Sequence, residues 1–288
     1  MLPRCLIRDE RRLSSLSVRP DDVWVSTFPK CGTTWTQEMV WNIVNNLDFK
    51  TAKSVELDER VPFLELSSMV TTDDMVDMGI EDTITKVDNM ASPRVIKTHL
   101  SIDMLPKEIL TKKAKVIYVC RNPRDVVVSY FNFLKLDGFY GSLDVFFNAF
   151  IGDVLSYSPF NKHVRDYWER RGESNILFTS YEEMKKDLPS VIRRVAKFLD
   201  KGLNDDDVAA LADHLSFKNM KKNSAVNQER MMEEVKKMSG SQEVTTAFMR
   251  KGETGDWRNH LSEEQVERMN TWVNHQLSGS GLEFTYQL

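Results

Sequence analysis

The sequence predicts a single α/β domain over residues 1–288, with a central parallel β-sheet flanked by helices in a P-loop-like nucleotide-binding fold. Three observations predict it. Short β-branched runs alternate with amphipathic helical patterns, the arrangement of a parallel sheet covered by helices. The stretch VWVSTFPKCGTTW, residues 23–35, reads as a strand, a phosphate-gripping turn and the start of a helix. The run KVIYVC, residues 115–120, is almost wholly apolar, as a strand buried on both faces must be, and belongs at the centre of the sheet.

Taken in order, the first strand is residues 23–27, and a helix from about Thr33 buries Trp35, Met39, Val40, Ile43, Val44 and Leu47 at helical spacing. Strands follow at 94–98 (RVIKT) and 115–120. Asn122 then caps a helix whose first turn holds Pro123 and whose buried side carries Val127, Val128, Phe131 and Leu134. A fourth strand is 175–179 (NILFT). Further helices are expected at 158–171, with Ser158 capping ahead of Pro159, and at 188–199, 205–215 and 262–276. The segment 223–246 has many charges, several Met and no clean period; it is left open, with a mobile loop as one reading.

A formal net charge of −4 gives no global attraction to polyanions, so no nucleic-acid partner is expected and any anion site must be built locally. The three cysteines, Cys5, Cys31 and Cys120, form neither a disulfide framework nor a metal-ligand spacing. With no apolar run of signal-peptide or membrane-span length, a cytoplasmic protein without a membrane partner is expected.

In the first strand-to-helix turn, Gly32, Thr33 and Thr34 let backbone N–H groups converge on an anion at a helix N-terminus, and Lys30 adds a full charge. A Walker loop places Lys directly after its second Gly, whereas here the Lys precedes the Gly by two positions. No apolar strand ends in an obvious magnesium-binding Asp, so a metal-free anionic donor fits better.

TFPKCGTTW resembles the 5′-phosphosulfate loop of the cytosolic sulfotransferases, usually TYPKSGTTW, with Cys31 in place of Ser. RVIKTHL, VIYVCRNPRDVVVSY, FTSYEEMKKD, LSFKNMKKN and FMRKGETGDW resemble the family's remaining signatures, in its order, from about Pro20 onward. The resemblance implies 3′-phosphoadenosine 5′-phosphosulfate (PAPS) as donor and adenosine 3′,5′-bisphosphate (PAP) as product, without a metal. It places the 5′-phosphate on Lys30, Cys31, Gly32, Thr33 and Thr34, and stacks Trp35 on the adenine. It gives the 3′-phosphate to Arg121, Ser129, Arg250, Lys251 and Gly252, and completes the adenine site with Tyr181, Ser216, Phe217 and Met220. Three separated basic clusters in an acidic chain suit a bis-anionic nucleotide, and paired Arg contacts suit phosphate. Arg121 and Ser129, eight residues apart, fall on one face if both are helical.

His99 follows the RVIKT strand as Lys30 follows VWVST, and the carboxyl ends of parallel strands form the ligand crevice. The family context makes His99 the general base toward an acceptor hydroxyl or amine and Lys30 the stabiliser of the leaving group, a duty Lys97 shares. An acceptor pocket is expected from Pro62, Phe63, Leu64, Phe131, Phe133, Phe139, Tyr140, Met231, Met232 and Phe248, favouring phenols, hydrophobic alcohols or aromatic amines. Two other readings stay open: a non-catalytic nucleotide-binding protein of the same fold, and a P-loop nucleotide kinase. Three departures from the family pattern matter. Leu215 stands where Thr is common, the segment before the phosphate loop is short, and the dimer motif is degenerate over 258–267, with Glu263 at its Val place, so that the usual homodimer is in doubt.

Overall fold

The computed structural model describes residues 4–70, 73, 75, 79–136, 138–230, 233 and 248–287. In chain order the elements are α1 (Arg4–Ser14), β1 (Val23–Thr27), α2 (Thr33–Val44), α3 (Phe49–Ser54), α4 (Leu57–Arg60), α5 (Thr83–Asn89), β2 (Val95–Thr98), α6 (Glu108–Thr111), β3 (Lys115–Cys120), α7 (Pro123–Leu136), α8 (Leu143–Ile151) and α9 (Phe160–Glu169). After these come β4 (Ile176–Ser180), α10 (Tyr181–Lys186), α11 (Leu188–Phe198), α12 (Asp205–His214), α13 (Phe217–Lys222) and α14 (Glu263–Leu277). No helix among the described residues is long and apolar enough to cross a membrane.

The four strands form one parallel sheet in the order β2-β1-β3-β4, with Val25 beside Lys97 and Ile117, and Tyr118 beside Phe178. Because side chains alternate across a strand, each strand feeds two cores. Trp24, Ile96, Val116 and Tyr118 join Phe28, Phe147, Phe150 and Phe160 on one face, and Val25, Val95, Ile117 and Val119 join Met39, Val40, Ile43 and Val195 on the other. Each fully buried aliphatic side chain contributes about 1.5–3 kcal/mol. All five β1 residues are buried, which holds the start of the following loop rigidly.

The element boundaries differ from the expected ones for local reasons. Arg94 lies just outside β2, its guanidinium paired with both Asp22 oxygens at 2.7 and 2.6 Å in a fully buried bridge. Asn175 lies outside β4 because its amide donates to the Ile109 and Ala114 carbonyls, while Ser180 pairs with Cys120. Ser158 does not cap α9: Pro159 is the cap residue, in extended conformation, and the helix starts at Phe160. Asn122 caps α7 as expected, accepting from the Asp125 N–H at 2.9 Å. Within 223–246 the described beginning is packed rather than loose, since Val226 is fully buried and the Ala225 carbonyl accepts from the Leu57 N–H at 2.7 Å. Residues 231, 232 and 234–247 lie outside the described residues.

Candidate active site at the carboxyl ends of the strands

β1 ends at Thr27, and the loop after it turns twice through the left-handed region, at Lys30 (φ 68°) and at Gly32 (φ 100°). A Cβ on Gly32 would lie 2.8 Å from Tyr181 Cδ2, so both the conformation and the neighbour require glycine. Phe28 anchors the loop from below, packed edge-on against Tyr130, Phe150, Phe160 and His163. No side chain caps α2, which leaves its first-turn N–H groups and the positive end of its dipole for an anion. Trp35 is half-buried rather than in the core; its indole N–H donates to the Leu215 carbonyl at 2.9 Å and its ring meets Tyr181 edge-on at 5.5 Å. The Leu215 side chain itself is buried in the core.

Four cations converge on this loop. Lys30 Nζ sits 4.4 Å from the ring centroids of both Phe133 and Phe248. Burial, then the positive charges of Arg121, Lys97 and Arg250, bring its pKa down to about 7. Arg121 donates to the Glu253 carbonyl at 2.8 Å and the Lys30 carbonyl at 3.4 Å, and lies over the Tyr181 ring. Asp125 accepts from the Gly255 and Trp257 N–H groups, at 2.8 and 3.2 Å, which docks the late RKG loop against the start of α7. Within that loop Arg250 and Lys251 both donate to Asp256 at 2.6 Å. Against the cost of burial, hydrogen bonds from Lys251, Asn259 and Arg250 hold the Asp256 carboxyl well below the usual carboxylate range. Gly252 has φ 66°, and a Cβ there would strike the Phe217 ring.

The other side of the site begins at the edge of β2. Residues 62–64 run beside this strand: the Lys97 N–H donates to the Pro62 carbonyl at 3.0 Å and the Leu64 N–H to the Lys97 carbonyl at 2.9 Å. This puts Phe63 under Lys97, 4.1 Å from Nζ to ring centroid, and against the His99 ring at 5.2 Å. Burial lowers the Lys97 pKa.

His99 Nδ1 lies 2.7 Å from the Thr27 carbonyl. A carbonyl only accepts, so Nδ1 carries the hydrogen and Nε2 is left with its lone pair. The His99 pKa is driven well below its ordinary value, first by burial and then by the positive charge of Lys97, so the ring is neutral. Glu65 accepts the His99 N–H at 2.7 Å and the Thr98 hydroxyl at 2.9 Å. Burial outweighs those bonds and raises its pKa to about 7. Tyr157 also packs edge-on against the imidazole at 5.5 Å.

The structure therefore gathers Lys30, Gly32, Trp35, Lys97, His99, Arg121, Tyr181, Arg250, Phe63, Phe133 and Phe248 into one cluster at the carboxyl ends of the strands. Other expected residues stand differently. The Cys31 side chain is fully buried, so only its backbone is available to an anion. Arg121 lies in the turn before α7, so helical spacing does not relate it to Ser129, which is half-buried on α7. Ser216 caps α13, accepting from the Asn219 N–H at 3.3 Å, and Met220 packs in the core. Phe139 packs on Phe131 and Phe146, and Tyr140 is 83 % exposed. Met231 and Met232 lie outside the described residues. Sequence reasoning missed Glu65, Asp125 and Asp256. An acidic residue inside the apolar run VPFLELSS was the signal for the first. The other two are the acids of the RNPRD and GDW motifs.

Comparison with known proteins extends this geometry. The family model for the sulfotransferase domain matches residues 20–281. The chain is 41 % identical to a luciferin sulfotransferase of Photinus pyralis over 281 residues, covering 94 % of this chain and 75 % of that protein. It is 35 % identical to sulfotransferase 1 family member D1 of Mus musculus, covering 96 % and 90 %. Among solved structures, retinol dehydratase in complex with androsterone and the inactive cofactor PAP superposes with a TM-score of 0.90 at 28 % identity, covering 99 % of this chain and 88 % of that one.

Proposed function

The chain belongs to the sulfotransferase family, and from that premise we propose that it moves the sulfuryl group of PAPS onto a hydroxyl or amine of a small, largely hydrophobic acceptor, with His99 as general base. The residues present fit such a donor. A left-handed glycine leaves a cradle that a Cβ would fill, and Lys30, Arg121, Arg250 and Lys251 bring cationic groups from three separate segments for its phosphates. Bound PAPS supplies the sulfuryl group and departs as PAP.

One observation carries the reading: Nδ1 of a neutral, buried His99 is committed to the Thr27 carbonyl, so Nε2 is an unprotonated base beside two buried lysines. His99 Nε2 takes the acceptor proton. Lys30 holds positive charge at the phosphate end of the crevice and Lys97 at the base, where negative charge develops during transfer. Phe63, Phe133 and Phe248 flank these cations and form an apolar wall that favours phenols, hydrophobic alcohols or aromatic amines. A small acceptor accords with one relative's being a luciferin sulfotransferase and with a similar structure's being a complex with androsterone and PAP.

The test is transfer of labelled sulfate from PAPS to a panel of phenols, alcohols and amines. His99→Ala is expected to bind PAP within about threefold of the parent and to lose 10²–10⁴-fold in kcat. Near-normal turnover by that variant overturns the assignment of the base. PAP binding by the parent without transfer to any member of the panel supports a carrier instead.

A further inference from the structure

We propose that His163, on α9, is a positioning residue for His99, fixing the base in the crevice through a hydrogen bond to its backbone carbonyl. The inference rests on the reading of His99 as the base, and begins from the end of a strand. β2 stops at Thr98, so the carbonyls of residues 99 and 100 lie beyond the ladder and must be satisfied in another way.

One helix supplies both partners. His163 Nε2 lies 3.0 Å from the His99 carbonyl, and the Tyr167 hydroxyl, one turn further along α9, donates to the Leu100 carbonyl at 3.1 Å. Since a carbonyl only accepts, His163 carries its hydrogen on Nε2, and its Nδ1 accepts from the Tyr118 hydroxyl at 2.8 Å. Tyr167 in turn accepts from the Ser26 hydroxyl at 2.8 Å. Two directed chains result, Tyr118 to His163 to the His99 carbonyl and Ser26 to Tyr167 to the Leu100 carbonyl, tying β1, the end of β2 and β3 to one helix. Ser26, Tyr118, Tyr167 and His163 are all buried, and the two tyrosine rings stack at 4.0 Å.

Burying an imidazole is costly unless both nitrogens are satisfied, and here both are. The placement of those bonds is specific. With Glu65 accepting the His99 N–H and the Thr27 carbonyl holding Nδ1, His163 completes a set of three restraints around one residue and leaves Nε2 alone for chemistry. His163 stays in this state at working pH, because burial brings its pKa down to about 4. The groups that face His99 are Lys97 two residues before it on β2, Lys30 from the phosphate loop, Glu65 and Tyr157 from flanking segments, and His163 from α9.

The experiment compares His163→Phe, which fills the aromatic space without a donor, with His163→Gln, which can present an N–H to the same carbonyl, and with His99→Ala. His163→Phe is expected to lower kcat about tenfold or more, leave PAP affinity within about twofold, and move the acid limb of the kcat–pH profile upward as water reaches a loosened His99. His163→Gln should recover most of the kcat. A merely structural role predicts a fall in Tm with kcat and the acid limb unmoved, and that result overturns the proposal, as does a Gln variant no better than Phe. If the Phe variant does not fold, Tyr118→Phe decides: a smaller kcat loss with the same displacement of the acid limb supports the clamp, and an unchanged profile sinks it. An active His99→Ala refutes the base reading itself; an inactive His99→Ala beside a normal His163→Phe refutes only the clamp.

Discussion

The two halves of the crevice are built by different means. On the proposed donor half the backbone does the shaping: Lys30, Gly32 and Gly252 sit at positive φ, and main-chain atoms of Lys30, Leu215, Glu253 and Gly255 receive or supply the bonds that lock four segments together. On the proposed acceptor half side chains do it, with the Phe63 ring against Lys97 and His99 and the Tyr157 ring against His99. A backbone turn tolerates few sequences, whereas an apolar wall of similar volume can be written in many ways. Donor identity is therefore more constrained than acceptor identity.

The largest expected effect tests that claim at its strictest point. Gly32→Ala places a Cβ against Tyr181 in a left-handed turn, where an L-residue costs about 1–2 kcal/mol before any clash. PAP affinity measured by calorimetry should fall about tenfold or more. Gly252→Ala, which would strike Phe217, should fall in the same direction. If both variants bind PAP normally, the donor half is not a backbone-shaped cradle and the contrast between the halves fails.

How much was legible in the sequence follows the same division. All four strands and the helices following β1 and β3 could be read, because period and turn chemistry are local properties. The clustered cations were legible because Lys30, Arg121, Arg250 and Lys251 sit in short motifs at strand or loop ends. Glu65 was marked only as an acid inside the apolar run VPFLELSS, and His163 and Tyr157 were not marked: all three meet His99 through tertiary packing, which no local pattern reports. Tyr140 failed in the opposite sense. An aromatic in an apolar-looking stretch was assigned to a wall, but it lies on the surface.

A smaller effect sharpens the electrostatics of the donor half. With its pKa near 7 in the unliganded protein, Lys30 is charged below that value and progressively neutral above it. A phosphate beside it restores the charged form, so PAP binding above pH 7 should take up a proton, and Kd should rise up to about fivefold from pH 7 to 8. Working above pH 7 keeps this apart from the phosphate monoester, whose own pKa is about 6. Because the folded pKa lies below the unfolded one, Lys30 costs stability fully below about pH 7, and that cost fades as pH rises toward 10.5. Calorimetry in two buffers of different ionisation enthalpy measures the uptake, and Lys30→Met should abolish it. Uptake that survives the substitution assigns the proton to another group.

A contrast between two aromatic positions separates the proposed acceptor wall from the residues that merely sounded like one. Phe63 touches both Lys97 and His99, so truncating it opens space next to the base and loses ring area that an acceptor would bury. Phe63→Ala should raise the acceptor KM about tenfold, since removing a buried ring's worth of apolar contact costs at least 1.4 kcal/mol, and 1.4 kcal/mol is tenfold. Tyr140, at 83 % exposure, has little area left to bury, so Tyr140→Ala should keep kcat and both KM values within about twofold. Steady-state kinetics on one phenol and one hydrophobic alcohol suffice, because the contrast concerns position rather than acceptor chemistry. Equal effects at the two positions would mean that acceptor binding recruits the exposed ring, and that the acceptor half, unlike the donor half, takes its final shape only around its ligand.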